Sequence, residues 1–295
     1  MTLRPVHAAL IRGDASVRMN GAASTVFPWW SFTKTVICAC VLRLVERGAI
    51  DIDQPVAGKP FTARQLMQNR AGVPDYGSLP SYHRAVAGGE PPWTCDRLLR
   101  EVDVERLDFP PGTGWRYSNT GYLLLRIWIE ESTGHGLARL VRMFVTDPLG
   151  LASVSLAERP QDFDRVHWSS ARSYDLRWVY HGCLIGTASD AALLLHDLFG
   201  GRILGGDSLA QMTAAHRLGG RIDGRPWTET GYGLGLMIGR MNHVGRALGH
   251  SGGGPFCVNA VYHFPDGNTP ATVAAFTDGT DEGVAERAAA ELARS

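Results

Sequence analysis

The sequence feature that most limits the possible folds is a helix that is apolar around almost its whole circumference. Residues 31–46 follow a helical pattern, and Gly48 stands where a helix C-cap is expected. Between residues 36 and 45 the one charged side chain is Arg43, so no face of the helix is suited to water. We therefore predict a helix that is covered on all sides and runs through the middle of the molecule.

Patterns typical of β-strands lie at the two ends of the chain. They occupy residues Val6–Arg12, 232–241, 258–264 and 271–276. A turn is predicted at Gly13 and Asp14, after the first of them, and the Pro-Asp-Gly-Asn sequence at 265–268 predicts a hairpin between the last two. An Ala-rich segment at Glu282–Arg294 predicts a closing helix.

Between residues 51 and 175, helical patches alternate with loops rich in proline and glycine. This order predicts an α/β fold of the α+β type, in which an antiparallel sheet built from both chain termini is flanked by helices and carries an inserted, mostly helical region. We assign residues 1–50 and 176–295 to a sheet domain and residues 51–175 to a helical domain. The active site is expected in the cleft between them.

The composition argues against several kinds of partner. The 295 residues carry a formal net charge of zero and no run of like charges, whereas a surface for nucleic acid or anionic membrane needs a basic patch. The five cysteines, an odd number, are interpreted as buried free thiols. No Cys-x-x-Cys or His-Glu-x-x-His motif occurs, so we predict no metal site. The sequence gives no indication of an oligomeric state.

The expected location is the cytoplasm, without membrane attachment. The apolar stretch and small-residue cleavage site of a secretory signal are missing from the first residues, MTLRPVHAALIRGD. The apolar segment at 36–45 is too short to span a bilayer.

The first candidates for chemistry are Ser31 and Lys34, which open the apolar helix as Ser-Phe-Thr-Lys. Residues three apart lie on one face of a helix, so this hydroxyl and this amine can meet. A serine becomes a good nucleophile when a neighbouring base takes its proton, and a buried lysine with a lowered pKa can be that base or can keep another base active. The backbone N–H of Ser31 also lies at a helix N-terminus, which favours developing negative charge.

Lysine is scarce in this chain, because Lys34 and Lys59 are the only two and the other basic side chains are arginines. Arginine cannot give up its proton, so it could not replace a lysine that has to cycle between charge states. The lysine at position 34 therefore points to proton transfer. The alternative is an N-capping serine followed by a lysine whose amine reaches the surface.

A second candidate group, Tyr117-Ser118-Asn119, follows a Pro-Pro-Gly loop and precedes a predicted helix, an arrangement that can direct a phenol and an amide into a cleft. A tyrosine near a lysine can have its pKa lowered, so that it acts as general base and then as general acid. Asn119 offers a donor and an acceptor for an amide of the substrate. The alternative is a turn with a packed tyrosine.

The third candidate group is His250-Ser251-Gly252-Gly253, in a glycine-rich passage between strand patterns. Glycine lets a ligand come close to the backbone, as the edge of a substrate-binding strand requires. We interpret His250 as a donor with partial positive charge beside the phenol of Tyr117. The alternative is a loop histidine without a chemical role.

Ser-x-x-Lys at 31–34, Tyr-x-Asn at 117–119 and His-x-Gly at 250–252, in this order, resemble the serine β-lactamase and penicillin-binding-protein superfamily. The second and third motifs are similar to those of class C β-lactamases, DD-peptidases and related esterases and D-amino-acid amidases. The resemblance covers nearly the whole chain. It implies a β-lactamase/DD-peptidase-like fold and hydrolysis through an acyl-enzyme, without a cofactor.

Residue by residue, the resemblance implies that Ser31 is acylated, that Lys34 and Tyr117 move protons, and that Asn119 orients the substrate amide. It also implies that the backbone N–H groups of Ser31 and Gly253 form the oxyanion hole. Which of Lys34 and Tyr117 is the general base stays open at this point, as does the role of the histidine.

The chain departs from the β-lactamases of the superfamily at two places. It has His250-Ser251-Gly252 where class C enzymes have Lys-Thr-Gly, and it has no convincing counterpart of the deacylating glutamate of class A. We therefore expect a serine hydrolase of small esters or amides, such as D-amino-acid derivatives or short peptides, whose partner is a small molecule. The alternatives are a β-lactamase or DD-peptidase, and a non-catalytic binding or sensory module on the same fold.

Aromatic residues are candidates for the wall of an acyl pocket. Trp30, directly before the nucleophile, and Phe256 are assigned to substrate binding. The other residues assigned to substrate binding are Asn119, Ser251, Gly252 and Gly253. Three histidines without an evident partner are interpreted as structural or surface residues: His181, His216 and His243.

Overall fold

The computed structural model describes residues 4–13 and 16–295, which form two β-sheets with helices packed around them. The strands are β1 (Val6–Arg12), β2 (Arg18–Asn20), β3 (Val26–Pro28), β4 (Ser155–Ala157), β5 (Cys183–Thr187), β6 (His216–Gly219), β7 (Trp227–Tyr232), β8 (Met237–Met241), β9 (Gly245–Gly253), β10 (Cys257–Phe264) and β11 (Ala271–Asp278). The α-helices are α1 (Phe32–Glu46), α2 (Ala63–Met67), α3 (Pro80–Ala87), α4 (Cys95–Val102), α5 (Asn119–Thr133), α6 (Leu137–Val141), α7 (Asp147–Leu149), α8 (Ala188–Phe199), α9 (Gly206–Thr213) and α10 (Glu282–Arg294).

The larger sheet has eight strands in the order β2-β1-β11-β10-β9-β8-β7-β6, each antiparallel to its neighbours. Near one edge of this sheet, a strand from the start of the described chain pairs with a strand from its last part. β1 pairs with β11 from Val6 opposite Thr277 to Arg12 opposite Ala271. The predicted α/β fold, with an antiparallel sheet built from both termini and flanked by helices, is confirmed.

The side chains of β1 alternate between the two faces of this sheet, as the two-residue period of a strand requires. Ala8 and Leu10 pack with α10 in one hydrophobic cluster, whereas Ala9 and Ile11 belong to the main core with α1 and α8. Helices therefore cover both faces of the sheet, and the main core lies on the face that carries α1.

Helix α1 is the buried helix that its apolar pattern predicts. Every side chain from Phe32 to Leu42 is at most 1% exposed. Because protein interiors are close-packed, a helix held on all sides has little freedom to move. The side chains at its first turn therefore have fixed positions. No helix among the described residues is long and apolar enough to cross a membrane.

A three-stranded sheet, in the order β3-β5-β4, leads the chain into α1. Directly after β3, the N–H of Trp29 donates to the carbonyl oxygen of Leu184 at 2.7 Å. This pairing brings the residues around β5 beside the start of α1. One strand of this sheet, β4, lies within residues 51–175, and the division of the chain into a helical and a sheet domain stays a prediction.

The expectation of one strand at 232–241 is wrong. β7 ends at Tyr232 and β8 begins at Met237, because the chain turns between them. In this turn Gly235 has a φ of +70°, and a Cβ there would stand 2.7 Å from Cys38 Sγ of α1. Glycine therefore permits both the turn and its close packing on the buried helix.

The hairpin predicted at 265–268 is confirmed, since it joins β10 to β11 with Phe264 opposite Ala271. The first predicted turn comes after β1, which ends at Arg12. Its second residue, Asp14, lies outside the described residues.

Candidate active site

Ser31 is the residue that precedes the first turn of α1, and its hydroxyl meets both groups that the sequence proposes for proton transfer. Lys34 Nζ lies 3.0 Å from Ser31 Oγ, and the Tyr117 hydroxyl donates to the same oxygen at 2.8 Å. The buried helix fixes the serine and the lysine, and the N-terminus of α5 brings the tyrosine. The three side chains converge at the wall of a cavity that Ser31 and Tyr117 line.

Burial decides the charge of Lys34. The side chain is fully buried, and this desolvation lowers the pKa of its amine from the ordinary 10.5 to about 7, against the opposing effect of the carboxylates of Asp75 and Glu282. At neutral pH a large fraction of the amine is therefore uncharged. An uncharged amine has a lone pair and can accept the proton of a serine.

Three polar groups surround the Lys34 amine, and their number matches its hydrogen-bonding capacity. Asn119 Oδ1 lies 2.8 Å from Nζ, His181 Nε2 lies 3.1 Å away, and the third group is the Ser31 hydroxyl. A neutral amine has two N–H donors and one lone pair. When a neutral amine directs its two donors to Asn119 and His181, its lone pair is free to face the serine hydroxyl.

His181 is the main residue that the sequence interpretation missed, and its assignment as a structural or surface histidine without a partner is wrong. It is 3% exposed and reaches the cavity beside Lys34. Burial and the neighbouring lysine hold its pKa well below the ordinary 6.5, so the imidazole is neutral. The local sequence carries no signal for this role, since the contact depends on β5 pairing with the strand that precedes α1.

The Tyr117-Ser118-Asn119 segment is held by hydrogen bonds to the loop after α2. Asn69 Oδ1 accepts from the N–H of Ser118 at 3.0 Å, and Asp75 Oδ1 accepts from the N–H of Asn119 at 2.8 Å. Ser118 Oγ caps α5 by accepting from Gly121 N–H at 2.9 Å. The phenol and the amide are therefore aimed by a capped helix end, as the sequence indicates.

The expected lowering of the pKa of Tyr117 is wrong. Burial raises the pKa of the phenol well above 10, and the nearby Tyr232 adds to this effect, whereas the hydrogen bond to Ser31 opposes it. The phenol is therefore protonated at neutral pH and acts as a donor to Ser31. Of the two candidate bases, Lys34 is the one whose environment favours the proton-accepting form.

His250 lies in the cavity wall near Tyr117, with 6.2 Å between the ring centres, but it does not carry the partial positive charge expected of it. Burial lowers its pKa to about 3, with a contribution from Lys34. Its Nδ1–H donates to the Ser251 carbonyl oxygen at 2.5 Å, so Nε2 is left to accept from the Tyr232 hydroxyl at 2.9 Å. The neutral imidazole thus orients Tyr232.

The end of β9 offers an open strand edge to the cavity. β8 begins at Met237, opposite Gly249, so residues 250–253 pair with β10 on one side alone. Gly252 passes directly beneath Ser31, because a Cβ there would stand 2.6 Å from the Ser31 nitrogen and 2.8 Å from Trp30 Cβ. Glycine is therefore required for β9 to approach the start of α1.

The cavity has a volume of about 810 Å³ and a wall rich in aromatic side chains. Of the residues predicted for the site, these line it: Trp30, Ser31, Tyr117, Asn119, His250, Ser251 and Gly253. Lys34 and Gly252 lie behind this wall. Phe256 is not part of the lining, which corrects its assignment, because its ring packs against Trp30 with 5.5 Å between the ring centres.

Trp30 connects Ser31 to the aromatic wall. Its φ of +40° is unusual for a residue with a large side chain, and its indole N–H donates to Cys257 Sγ at 3.2 Å. Such backbone strain persists where the surroundings hold the residue in place, and it is frequent beside active-site groups. Among residues 4–13 and 16–295, no cluster of three or more histidine, cysteine or acidic side chains could hold a metal ion.

Comparison with known proteins relates the chain to one family over almost its whole length. The family profile described as Beta-lactamase matches residues 6–295. Penicillin-binding protein 4* of Bacillus subtilis is 25% identical over 169 residues, which cover 52% of this chain and 36% of that protein. Esterase EstB of Burkholderia gladioli is 31% identical over 147 residues, which cover 43% of this chain and 37% of that protein. The matched regions thus span little more than a third of either relative.

A solved structure resembles the fold across the whole chain. The D-amino acid amidase of Ochrobactrum anthropi SV3 superposes with a TM-score of 0.83 at 23% identity, and the match covers 98% of this chain and 95% of that one. At this level of identity the likeness shows a common fold.

Proposed function

Because this chain belongs to the β-lactamase family, we propose that it is a serine hydrolase that cleaves small esters or amides through an acyl-enzyme. One observation carries the proposal, the convergence of the Lys34 amine and the Tyr117 hydroxyl on Ser31 Oγ beside an open cavity. A nucleophile, a base with a suitable pKa and a proton donor in mutual contact are the parts that acyl transfer requires.

In the proposed acylation step, neutral Lys34 takes the proton of Ser31 while Oγ attacks the substrate carbonyl carbon. The carbonyl oxygen becomes an oxyanion, which the backbone N–H groups of Ser31 and Gly253 stabilise by about 3–4 kcal/mol per donor. Tyr117 gives its proton to the leaving oxygen or nitrogen, and the protonated lysine then returns a proton to the phenolate. The bond to the leaving group breaks and the acyl group stays on the serine.

Deacylation reverses the same proton path. A water molecule enters the position of the leaving group and gives its proton to the Tyr117 and Lys34 pair as its oxygen attacks the acyl carbon. Ser31 leaves with a proton returned by the pair, and the carboxylic acid product is released. Asn119 and His181 keep the lysine amine in place in both steps, because they accept its N–H groups in the neutral and in the charged form.

The substrates that we propose have a small or aromatic acyl group, which suits the aromatic wall of the cavity. A related esterase and a structurally similar D-amino acid amidase support esters and amides as the reacting groups. A β-lactamase or DD-peptidase is the second candidate, supported by the similarity to a penicillin-binding protein. A non-catalytic binding module is disfavoured by the contacts at Ser31, since binding alone requires no neutral lysine against a serine hydroxyl.

The proposal is tested by a hydrolysis screen of the purified chain over p-nitrophenyl esters, D- and L-amino-acid amides and a chromogenic cephalosporin. We expect turnover of esters or amides and little turnover of the cephalosporin. A fluorophosphonate probe should add its mass to the protein once, at Ser31. If no substrate is turned over and the probe adds no mass, the chain is a binding module; preferential turnover of the cephalosporin selects the second candidate.

The reaction should depend on pH through Lys34. Because burial lowers the pKa of the amine to about 7, the base form prevails above that pH and is lost below it. We expect kcat/KM for a neutral ester to rise between about pH 6 and about pH 8 and then to level off, since the phenol of Tyr117 stays protonated. A profile that is flat over this range, or that falls with rising pH, contradicts Lys34 as the base.

We also propose a cytoplasmic location. All five cysteines are free thiols, and Cys38, Cys40, Cys183 and Cys257 are buried. Proteins that stay in reducing compartments keep their thiols in this form, whereas exported proteins frequently pair them. Cell fractionation with a tagged chain in its native host tests this location.

A further inference from the structure

One end of the cavity carries the two charged side chains of its lining, Arg225 and Glu282. Apart from histidines, the other lining residues are uncharged. The charge balance at this end therefore decides which charged substrates the cavity can accept.

The guanidinium of Arg225 forms an ion pair with a third residue, Glu286. The carboxylate of Glu286 is fully buried, and it accepts from Arg225 Nε at 2.7 Å and from the same guanidinium at Nη2. Trp227 Nε1 and the Tyr262 hydroxyl also donate to it, at 3.0 and 3.1 Å. A carboxylate without access to water needs a paired positive charge, and Arg225 supplies it.

Glu282 is then left with a charge that is only partly balanced. Its Oε2 accepts from Ser251 Oγ at 2.7 Å and lies 3.1 Å from Arg225 Nη2, while a third of its side chain remains exposed at the cavity. Two carboxylates share one guanidinium, so this group of three carries a net negative charge. The Glu282 carboxylate also borders the open edge of β9, because its Oε1 stands 3.3 Å from the Cβ position of Gly253.

The field of Glu282 reaches the reacting groups. Its carboxylate and that of Asp75 both favour the charged form of the Lys34 amine. Of the three histidines in the cavity lining, His83, His181 and His250, the last two are held neutral by burial and cancel none of this negative charge.

We propose that Glu282 selects substrates by charge, favouring esters and amides that carry an ammonium group or no charge over those that carry a carboxylate. The inference rests on the proposed hydrolase function and adds the chemical class of the substrate. Penicillins, cephalosporins and peptides with a free C-terminus carry a carboxylate, so the same charge opposes them. Aminoacyl esters and amides with a free amino group are the class that the cavity favours.

The test uses p-nitrophenyl esters that share a 3-phenylpropanoyl skeleton and differ in the substituent on its α-carbon. They are the esters of phenylalanine (ammonium) and 3-phenylpropanoate (no charge) and the half-ester of benzylmalonate (carboxylate). Acetates of 4-(aminomethyl)phenol and 4-hydroxybenzoate place the charge on the leaving group. In at least one of the two series, we expect the wild-type protein to have a higher kcat/KM for the ammonium ester than for the carboxylate ester. Glu282→Gln should reduce the ratio of these two kcat/KM values roughly tenfold. Glu291→Gln, an exposed carboxylate on the same helix and outside the cavity lining, is the matched control and should keep the wild-type ratio.

A ratio that is unchanged in Glu282→Gln while the neutral ester is still hydrolysed overturns the charge selection and leaves the hydrolase intact. Failure to hydrolyse any of these esters overturns the proposed function and the selection with it. Should Glu282→Gln fold poorly, the wild-type protein provides a second measurement. Raising the salt concentration from about 0.05 to about 1 M should screen the charge of Glu282 and lower the ratio of kcat/KM for the ammonium ester to that for the carboxylate ester. A ratio that does not change with salt counts against Glu282.

Discussion

Replacing Ser31 with alanine is expected to lower kcat by about a thousandfold or more on any ester that the wild-type protein hydrolyses. The variant lacks the atom that the acyl group would bind, and water would have to attack the substrate directly. Lys34 and Tyr117 both lose the oxygen atom that they contact, so no group remains between them from which the lysine can take a proton. The measurement is the steady-state rate of ester hydrolysis, with fluorophosphonate labelling as a second readout.

The matched control is Ser170→Ala, which removes an exposed hydroxyl outside the cavity lining and should keep the wild-type rate. Thermal unfolding of both variants shows whether the fold is retained, as we expect, since Ser31 caps α1 by no side-chain hydrogen bond. A folded Ser31→Ala protein that hydrolyses esters at the wild-type rate would remove this serine as the nucleophile.

The second large effect is expected for Lys34→Arg, with a loss of about a hundredfold to a thousandfold in kcat. A guanidinium keeps the positive charge but cannot give up its proton, so it cannot accept one from Ser31. It is also larger than an amine, and the space around Nζ is already filled by Asn119 and His181. The rate should not recover at high pH, whereas the wild-type rate levels off above about pH 8.

The chain supplies its own control for this substitution, because Lys59 is its only other lysine. Lys59 pairs with Glu105 at 2.5 Å on the surface, where arginine can make the same contact. Lys59→Arg should therefore keep the wild-type rate and pH profile. If Lys34→Arg is folded and equally active, lysine is not the base, and the assignment moves to another group at Ser31.

Much of this arrangement could be predicted from the sequence because it is encoded locally. Helical spacing alone brings Ser31 and Lys34 to one face, and the apolar pattern of residues 36–45 predicts the burial of α1. The strand patterns at the two ends of the chain predict the sheet. The Tyr117 segment could be recognised because it is a capped helix start.

What could not be predicted depends on contacts between distant segments. His181 reaches Lys34 because β5 pairs with β3, and no periodicity reports that pairing. The pKa of Tyr117 rises because burial removes the phenol from water, and this burial exists only in the assembled core. The negative end of the cavity is assembled in the same way, since Arg225 and Glu282 are far apart in the sequence and meet only in the folded chain.

The pairing of β1 with β11 has a consequence for how this protein folds during its synthesis. β1, which precedes Ser31 in the chain, is synthesised long before its partner β11 emerges. Until then β1 has one finished neighbour, β2, and the face that covers the reactive helix is incomplete. A nascent chain that lacks β11 therefore exposes part of its apolar core, which favours aggregation with other chains until β11 has paired with β1.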